Sequence, residues 1–250
     1  MTKVAFPTDC HYPFQDPRAV ALAQKIVHDF KPDILIRGSD ALDFYSVSRF
    51  LRSRTVYAGQ LKDEIEAWKV AEKEWADVVP KDTKKPFLVG NHEDRLQRYI
   101  LAQAPELEGL PALELQNLLE FNKFGIRMAY NNEIVVDTHQ LLIKHGTVVR
   151  KHSAYTAKAE LENEKYGITV MSGHTHRAGV HWATTRRGPV AAYECFCLCS
   201  QNPSYMGKPN WQLGLSLAET HAAGPSVEMI PFFEKGGKYF AYWRGKEYTA

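Results

Sequence analysis

The 250-residue chain holds only four cysteines, Cys10, Cys195, Cys197 and Cys199, and the last three alternate along one apparent strand. Alternate positions on a strand share a face, and bridging such immediate neighbours is geometrically poor. A disulfide framework is therefore not expected, and the cytoplasm, a reducing compartment, is the simpler reading. The three alternating cysteines are read as small apolar fillers rather than as a thiolate metal site. No apolar run is long enough to span a bilayer, so no membrane association is expected. The opening Met-Thr-Lys-Val-Ala-Phe-Pro lacks the apolar stretch of a secretory leader. A net charge of +2 gives no reason to expect a strongly basic nucleic-acid surface, which leaves room only for a local patch. There is no internal repeat, linker or low-complexity tract, and one domain over residues 1–250 is expected.

Patterning predicts an α/β protein. Val4-Ala5-Phe6 reads as a short buried strand. A helix follows, capped by Asp16 with Pro17 at its first position, and Val20, Ala23, Val27 and Phe30 share one face. Lys31-Pro32 stops it, and Asp33-Ile34-Leu35-Ile36 is the next strand, a βαβ start. Phe44 to about Val79 turns helical, with Leu61, Ile65, Trp68, Ala71, Trp75 and Val78 on one stripe. Pro86 to Val89 is a strand, and residues 94–123 are helical with breaks at Pro105 and Gly109-Leu110-Pro111. Ile134-Val135-Val136 and Leu141-Leu142-Ile143 are strands of a hairpin, and Ser153 is positioned to cap a helix running to about Tyr166. Ile168 to Met171 is a strand, as is Val190 to Leu198, with strand-like pieces near Val227 and Tyr239. The tail from Phe232 to Tyr248 is read as an edge hairpin or as a dimer contact, and the oligomeric state stays open.

Five short motifs each end an apolar run: Asp9-Cys10-His11, Asp40-Ala41-Leu42-Asp43, Gly90-Asn91-His92-Glu93, His145-Gly146 and Gly173-His174-Thr175-His176. In α/β sheets, ligands gather at the carboxyl ends of strands, so motifs scattered in sequence converge there. Asp9 and His11 can grip one cation, Asp40 offers two oxygens able to bridge two, and Asn91 adds a neutral carbonyl oxygen. His145, His174 and His176 add imidazole nitrogens. This mixed nitrogen and oxygen set, without thiolate, suits two divalent transition-metal ions, with Mn2+ preferred and Fe, Zn, Ni or Co as alternatives. His92, beside Asn91 on one turn, is better placed to donate a proton to a leaving oxygen or to hold a substrate oxygen, and Asp43 is positioned to fix its ring. His28, His139, His181 and His221 are read as ordinary polar residues, and His139 and His152 yield to His145 because His145 sits at a strand exit.

With those residues assembled, the chain resembles the calcineurin-like metallophosphoesterase superfamily over Asp9 to His176. The resemblance implies a four-layer α/β/β/α sandwich of the metallo-dependent phosphatase type. It implies that Asp9, His11, Asp40 and His176 bind one metal and that Asp40, Asn91, His145 and His174 bind the other. It further implies phosphodiester hydrolysis, with small phosphomonoesters as secondary substrates, by attack of a metal-bridging hydroxide, His92 assisting the leaving group and Asp43 orienting it. Phe44-Tyr45-Ser46-Val47-Ser48, Glu93-Asp94-Arg95 and Asn210-Trp211-Gln212 look like the branch found in bacteriophages and prophages. The pattern departs at Ser39, where the superfamily usually has Gly before the bridging Asp.

The substrate side is less specified. Phe44 stands where protein serine/threonine phosphatases of the superfamily carry Arg, which counts against a phosphoprotein substrate. Arg95 and Arg177 each follow a ligand motif and are read as bidentate phosphate forks or as salt bridges. Arg150-Lys151-His152-Ser153 precedes a helix start, and Arg150 and Ser153 are taken as contacts to a second phosphate or to a diester's far side. Tyr205 and Trp211 either stack on a base or, as is commoner, pack on their own fold. The expected partner is a phosphate ester, with a nucleotide or nucleic acid among the candidates. A DNA nuclease of the same chemistry and a non-catalytic nucleotide-binding module are the competing readings.

Overall fold

The structure is a computed structural model, described over residues 1–49, 59–137, 140–164, 166–203, 207 and 209–250. His139 and Tyr205 lie outside the described residues. In chain order the elements are β1 (Lys3–Phe6), α1 (Pro17–Phe30), β2 (Ile34–Leu35), β3 (Arg37–Gly38), α2 (Leu61–Asp77), β4 (Lys85–Leu88), α3 (Asp94–Gln103), α4 (Leu115–Leu118), α5 (Phe121–Phe124) and β5 (Ile126–Met128). Then come β6 (Ile134–Val136), β7 (Leu141–Lys144), α6 (Tyr155–Glu162), β8 (Thr169–Ser172), β9 (Ala178–Thr185), β10 (Gly188–Cys195), β11 (Gly214–His221) and β12 (Gly224–Pro231). The chain finishes with β13 (Phe233–Lys235), β14 (Lys238–Trp243) and β15 (Lys246–Thr249).

Two sheets stack face to face. The first runs β12-β11-β1-β2, and a parallel bridge between Ile34 and Lys84 carries it on into β3-β4-β5. The second runs β6-β7-β8-β10-β9. Val4, Phe6, Ile36 and Leu88 from the first sheet meet Leu141, Ile143, Met171 and Tyr193 from the second in one apolar layer. On the outer face of the first sheet, α1 and α2 bury Leu22, Ile26, Trp68 and Trp75 against Leu35, Phe87 and Leu217. On the outer face of the second, α6 covers Leu142, Val170 and Ala192 with Ala157. The architecture is therefore a four-layer α/β/β/α sandwich.

Local chemistry explains the first layer. The Asp16 carboxylate accepts from the N–H groups of Arg18 and Ala19 at 3.0 and 3.2 Å, and Lys31 closes α1 in the left-handed region. Trp68 is fully buried among Phe87, Phe121 and Phe124. One buried face of α2 also carries Glu72, which pairs with the fully buried Arg37 of β3, whose guanidinium lies 5.0 Å from the Trp75 ring.

Several sequence expectations are revised. Ser153 does not cap α6. Ala154 holds the N-cap position at φ +68°, with its N–H taken by Glu194, so the helix begins two residues after Ser153 and ends at Glu162. The strand through the three cysteines breaks at Phe196, where φ is +61°, so Cys195 joins the layer between the sheets while Cys197 and Cys199 pack under α1. The tail forms a three-stranded sheet, β13-β14-β15, laid on α1: Tyr248 donates to Asp29 at 2.8 Å and Arg18 sits 4.5 Å over the Tyr239 ring. Among the described residues, no helix is long and apolar enough to cross a membrane.

Truncating Trp68 to Ala should lower unfolding free energy by about 3–5 kcal/mol, because three phenylalanine rings lose their common centre. Urea denaturation of the two proteins measures this, and a loss under about 1 kcal/mol would show that α2 is not packed as described.

Candidate metal centre

The strands β1 and β2, β3 and β4, and β7 and β8 pair in parallel, so their carboxyl ends open on one edge of each sheet. The five motifs follow β1, β3, β4, β7 and β8 and meet there. Asp9, His11, Ser39, Asp40, His174 and His176 all have positive φ, between 52° and 74°. Such backbone is costly for non-glycine residues and persists only where surrounding structure imposes it, which is common at ligand-holding turns. Two glycines permit the close approach. A Cβ on Gly90 would fall 2.0 Å from Asp40 Oδ1, and one on Gly173 would fall 2.5 Å from Asp9 Oδ2.

Two donor sets result. In one, His11 Nε2 lies 3.0 Å from His176 Nε2, His176 Nε2 lies 3.3 Å from Asp9 Oδ1, and Asp40 Oδ2 is 4.0 Å from His11 Nε2. In the other, His145 Nε2 lies 3.0 Å from Asn91 Oδ1, 3.1 Å from His174 Nδ1 and 3.3 Å from Asp40 Oδ2. Atoms that share one cation at about 2.0–2.2 Å sit roughly 3–4.4 Å apart, from cis to trans, so both sets have near-ligand spacing. Asp40 Oδ2 faces both. Its other oxygen accepts from the His92 N–H at 2.8 Å, which fixes the carboxylate plane.

The ring nitrogens make the donor set chemically specific. His11 Nδ1 lies 3.1 Å from Asp43 Oδ2, and burial together with His92 pushes the His11 pKa down to about 4. His11 is thus neutral, donates from Nδ1, and turns the lone pair of Nε2 toward His176. Two imidazole nitrogens at 3.0 Å repel unless a proton or a cation lies between them. Asp9 beside His176 draws a proton to that ring against the cost of burial, and a cation seated among Asp9, His11 and His176 would take that proton's place, so the residues present fit divalent cations. His145 shows the same pressure from the other side. Burial disfavours its charged ring, but Asp40 beside it prevails and raises its pKa to about 9. A cation held there by Asp40, Asn91, His145 and His174 would displace that proton.

Partners behind the donors hold them in place. Ser39 Oγ lies 2.9 Å from His145 Nδ1 and 2.8 Å from Thr8 Oγ1, and Thr8 in turn donates to Asp9 Oδ2 at 2.7 Å. The serine that departs from the superfamily pattern thus keeps its positive φ and gains a contact that glycine cannot make. Glu93, fully enclosed, accepts from the N–H groups of Gly90, Asp40 and Leu42 at 2.7, 3.0 and 3.1 Å and ties the second motif to the third. Burial and the neighbouring Asp40 push its pKa up to about 7. Cys199 Sγ lies 3.6 Å from His176 Nδ1, and Trp211 packs its ring 4.4 Å from that of His176. The Gln212 N–H donates to the His176 carbonyl at 2.9 Å, so the Asn210-Trp211-Gln212 segment supports the fifth motif. Nothing in the spacing of Ser39, Glu93 or Cys199 marked them for these roles. The φ that Ser39 adopts was the one legible hint, since glycine is usual there.

His92 stands beside the two donor sets and forms, with His11 and Asp43, a further group at metal-ligand spacing. Its Nδ1 lies 3.1 Å from the Asp43 carbonyl and 3.2 Å from Asp43 Oδ2, while Nε2 lies 2.8 Å from Arg95 Nη2. Arginine only donates, so Nε2 accepts and Nδ1 carries the proton in this arrangement. Asp43 serves His11 and His92 together. Burial alone would raise its carboxyl, but hydrogen bonds from both histidines outweigh burial and hold it well below the usual carboxylate range. Arg95 also donates to the Asp43 carbonyl and carboxylate at 2.8 and 2.9 Å. It stands beside the two donor sets in a salt bridge with Asp43, the second of the two readings its position allowed. Arg177 does not offer the expected phosphate fork: it is buried and donates to the carbonyls of Arg150 and Lys151 at 2.6 and 3.0 Å.

No protein-family model matches the chain. It is similar to the Gene 54 protein of Mycobacterium phage L5, 25% identical over 252 residues covering 95% of both sequences. It is likewise similar to the Gene 54 protein of Mycobacterium phage D29, 26% identical over 250 residues with the same coverage. Among solved structures, Vps29 of Chaetomium thermophilum aligns with a TM-score of 0.48 at 10% identity, covering 100% of this chain and 92% of that one. Wild-type Vps29 of Entamoeba histolytica complexed with Zn2+ aligns at 0.41 and 9% identity, covering 99% and 97%.

Removing the Ser39 hydroxyl should loosen His145. Ser39→Ala is expected to weaken cation binding by roughly 10–100-fold at the Asn91, His145 and His174 set, with the Asp9 set less affected. Titration calorimetry with Mn2+ resolves the two classes, and equal affinities for variant and parent would remove the hydroxyl from the account.

Proposed function

We propose that the protein is a dinuclear-metal phosphoesterase of the calcineurin-like type, acting on phosphodiesters and on small phosphomonoesters. The observation that carries this reading is the single oxygen, Asp40 Oδ2, facing two sets of nitrogen and oxygen donors at near-ligand spacing. Asp9, His11, Asp40 and His176 would hold one cation, and Asp40, Asn91, His145 and His174 the other. Manganese heads the candidates, with iron, zinc, nickel and cobalt behind it, because the set mixes carboxylate and imidazole without thiolate. When bound, such a pair supplies Lewis acidity toward a phosphoryl group and lowers the pKa of a water for attack on phosphorus.

The chain's own residues supply the rest. Arg95 takes a non-bridging phosphate oxygen through its fork, leaving the Asp43 carboxylate to hold His92 and His11. Once Arg95 turns to the substrate, His92 Nε2 is released to take a proton from solvent water and pass it to the leaving oxygen, while Nδ1 stays anchored on Asp43. The Asp43 charge stabilises the imidazolium that this requires. The relatives in mycobacteriophages agree with a phage-type member of the superfamily.

Chelation followed by separate addition of manganese, zinc, nickel and magnesium tests the reading, with an aryl phosphate monoester, an aryl diester and single-stranded DNA as substrates. Hydrolysis restored by a transition metal is expected, and His92→Ala should lower kcat by about 10²–10⁴-fold while the metal content stays the same. Metal bound without turnover of any substrate would leave a binding module instead. Full activity in His92→Ala would remove the proton-donor role.

A further inference from the structure

Between His145 and the start of α6, residues 146–154 form neither helix nor strand. Exposed connections of this kind are ordinarily the loosest part of a fold. This one is fastened from beneath by four buried side chains. Glu160 accepts from the N–H groups of Thr147 and Val148 at 3.0 and 3.1 Å. The Thr156 hydroxyl accepts from the Arg150 N–H at 3.0 Å. Arg177 donates to the carbonyls of Arg150 and Lys151, and Glu194 accepts from the Ala154 N–H.

Two of these fastenings come from the metal centre itself. Arg177 directly follows His176. Glu194, with no exposed surface, accepts from the Thr175 hydroxyl at 2.8 Å and lies 3.6 Å from Arg177 Nε. The turn that aims His174 and His176 and the loop that leaves His145 therefore share one buried framework. What the framework holds outward carries two cations: Arg150 and Lys151 are exposed, between Val149 and His152. Among the described residues, no carboxylate is in ion-pair contact with Arg150 or Lys151. A stiff backbone carrying two adjacent free cations binds an anion without first losing loop entropy.

We propose that residues 146–154 are a preformed clasp for a second phosphate of the substrate, with Arg150 and Lys151 as its arms and Arg177 as the positioning residue that fixes their backbone. The proposal rests on the phosphoesterase reading and deepens it: the preferred substrate carries two phosphates, one hydrolysed at the centre and one held by the loop. A nucleic-acid strand and a pyrophosphate-linked nucleotide both present that chemistry.

The test compares the parent with Arg150→Ala/Lys151→Ala on an aryl phosphate monoester, a 5′-phosphorylated dinucleotide and a pyrophosphate-linked dinucleoside. KM for two-phosphate substrates should rise roughly 10–100-fold more than KM for the monoester. A rise confined to the dinucleotide identifies a strand, and a rise for the pyrophosphate compound identifies a free nucleotide. Equal changes for all three substrates, or none, overturn the clasp. Binding of a fluorescent 5′-phosphorylated dinucleotide, followed by anisotropy in the His92→Ala background, reads the clasp separately from turnover. If that binding weakens on removing Arg150 and Lys151 while the metal-loaded parent protein, with His92 intact, hydrolyses none of the three substrates, the clasp stands and the phosphoesterase reading falls. Arg177→Ala should reproduce the KM pattern with Arg177→Lys restoring part of it. A pattern in Arg177→Ala unlike that of the double variant, in protein of unchanged metal content and melting, would remove the tether.

Discussion

The carboxylate of Asp40 is the point on which both halves of the sandwich depend. It is 1% exposed, and burying an unpartnered charge is prohibitive. Its surroundings are arranged to make that burial tolerable. One oxygen takes the His92 N–H, its own N–H goes to Glu93, and the absence of a side chain at Gly90 leaves room for the group. The remaining oxygen, Oδ2, looks into the gap between His145 and the His11–His176 pair. Within the chain its partner is His145, 3.3 Å away, whose ring it keeps charged.

The fold exists to bring residues from two sheets to that oxygen. Asp9, His11, Asp40 and Asn91 come from the first sheet, and His145, His174 and His176 from the second. The layer of Phe6, Ile36, Leu88, Ile143 and Met171 sets the separation of the sheets and with it the distance between donor sets. Close packing makes that separation stiff. Left-handed residues at the strand exits then aim individual side chains, and Thr8, Ser39, Asp43, Glu93 and Cys199 lock them from behind.

The gathering of these side chains at one edge was legible in the sequence because each lies close after an apolar run, and residues at the carboxyl ends of strands converge. The helices α1 and α2 were legible through their stripes, down to Asp16 as a cap and Trp68 and Trp75 as core. What escaped was chemistry that depends on contacts between distant segments. Arg37 and Glu72 look like surface charges in sequence, and only the fold shows them paired inside it. Arg177 carries the residue type of a phosphate fork, but a neighbouring loop claims its donors. Strands β5, β9 and β11 were missed, since β5 is three residues long and β9 alternates threonine, alanine and histidine with few large apolar side chains. Ser153 has the residue type of a cap but lies one residue before the N-cap position, which Ala154 holds.

Anomalous diffraction from crystals soaked in a manganese salt measures the central claim directly. The account predicts two peaks about 3.5–4 Å apart, one on each side of Asp40 Oδ2, with Asp9, His11 and His176 around one and Asn91, His145 and His174 around the other. A single peak, or peaks that leave Asp40 without a cation, would contradict it.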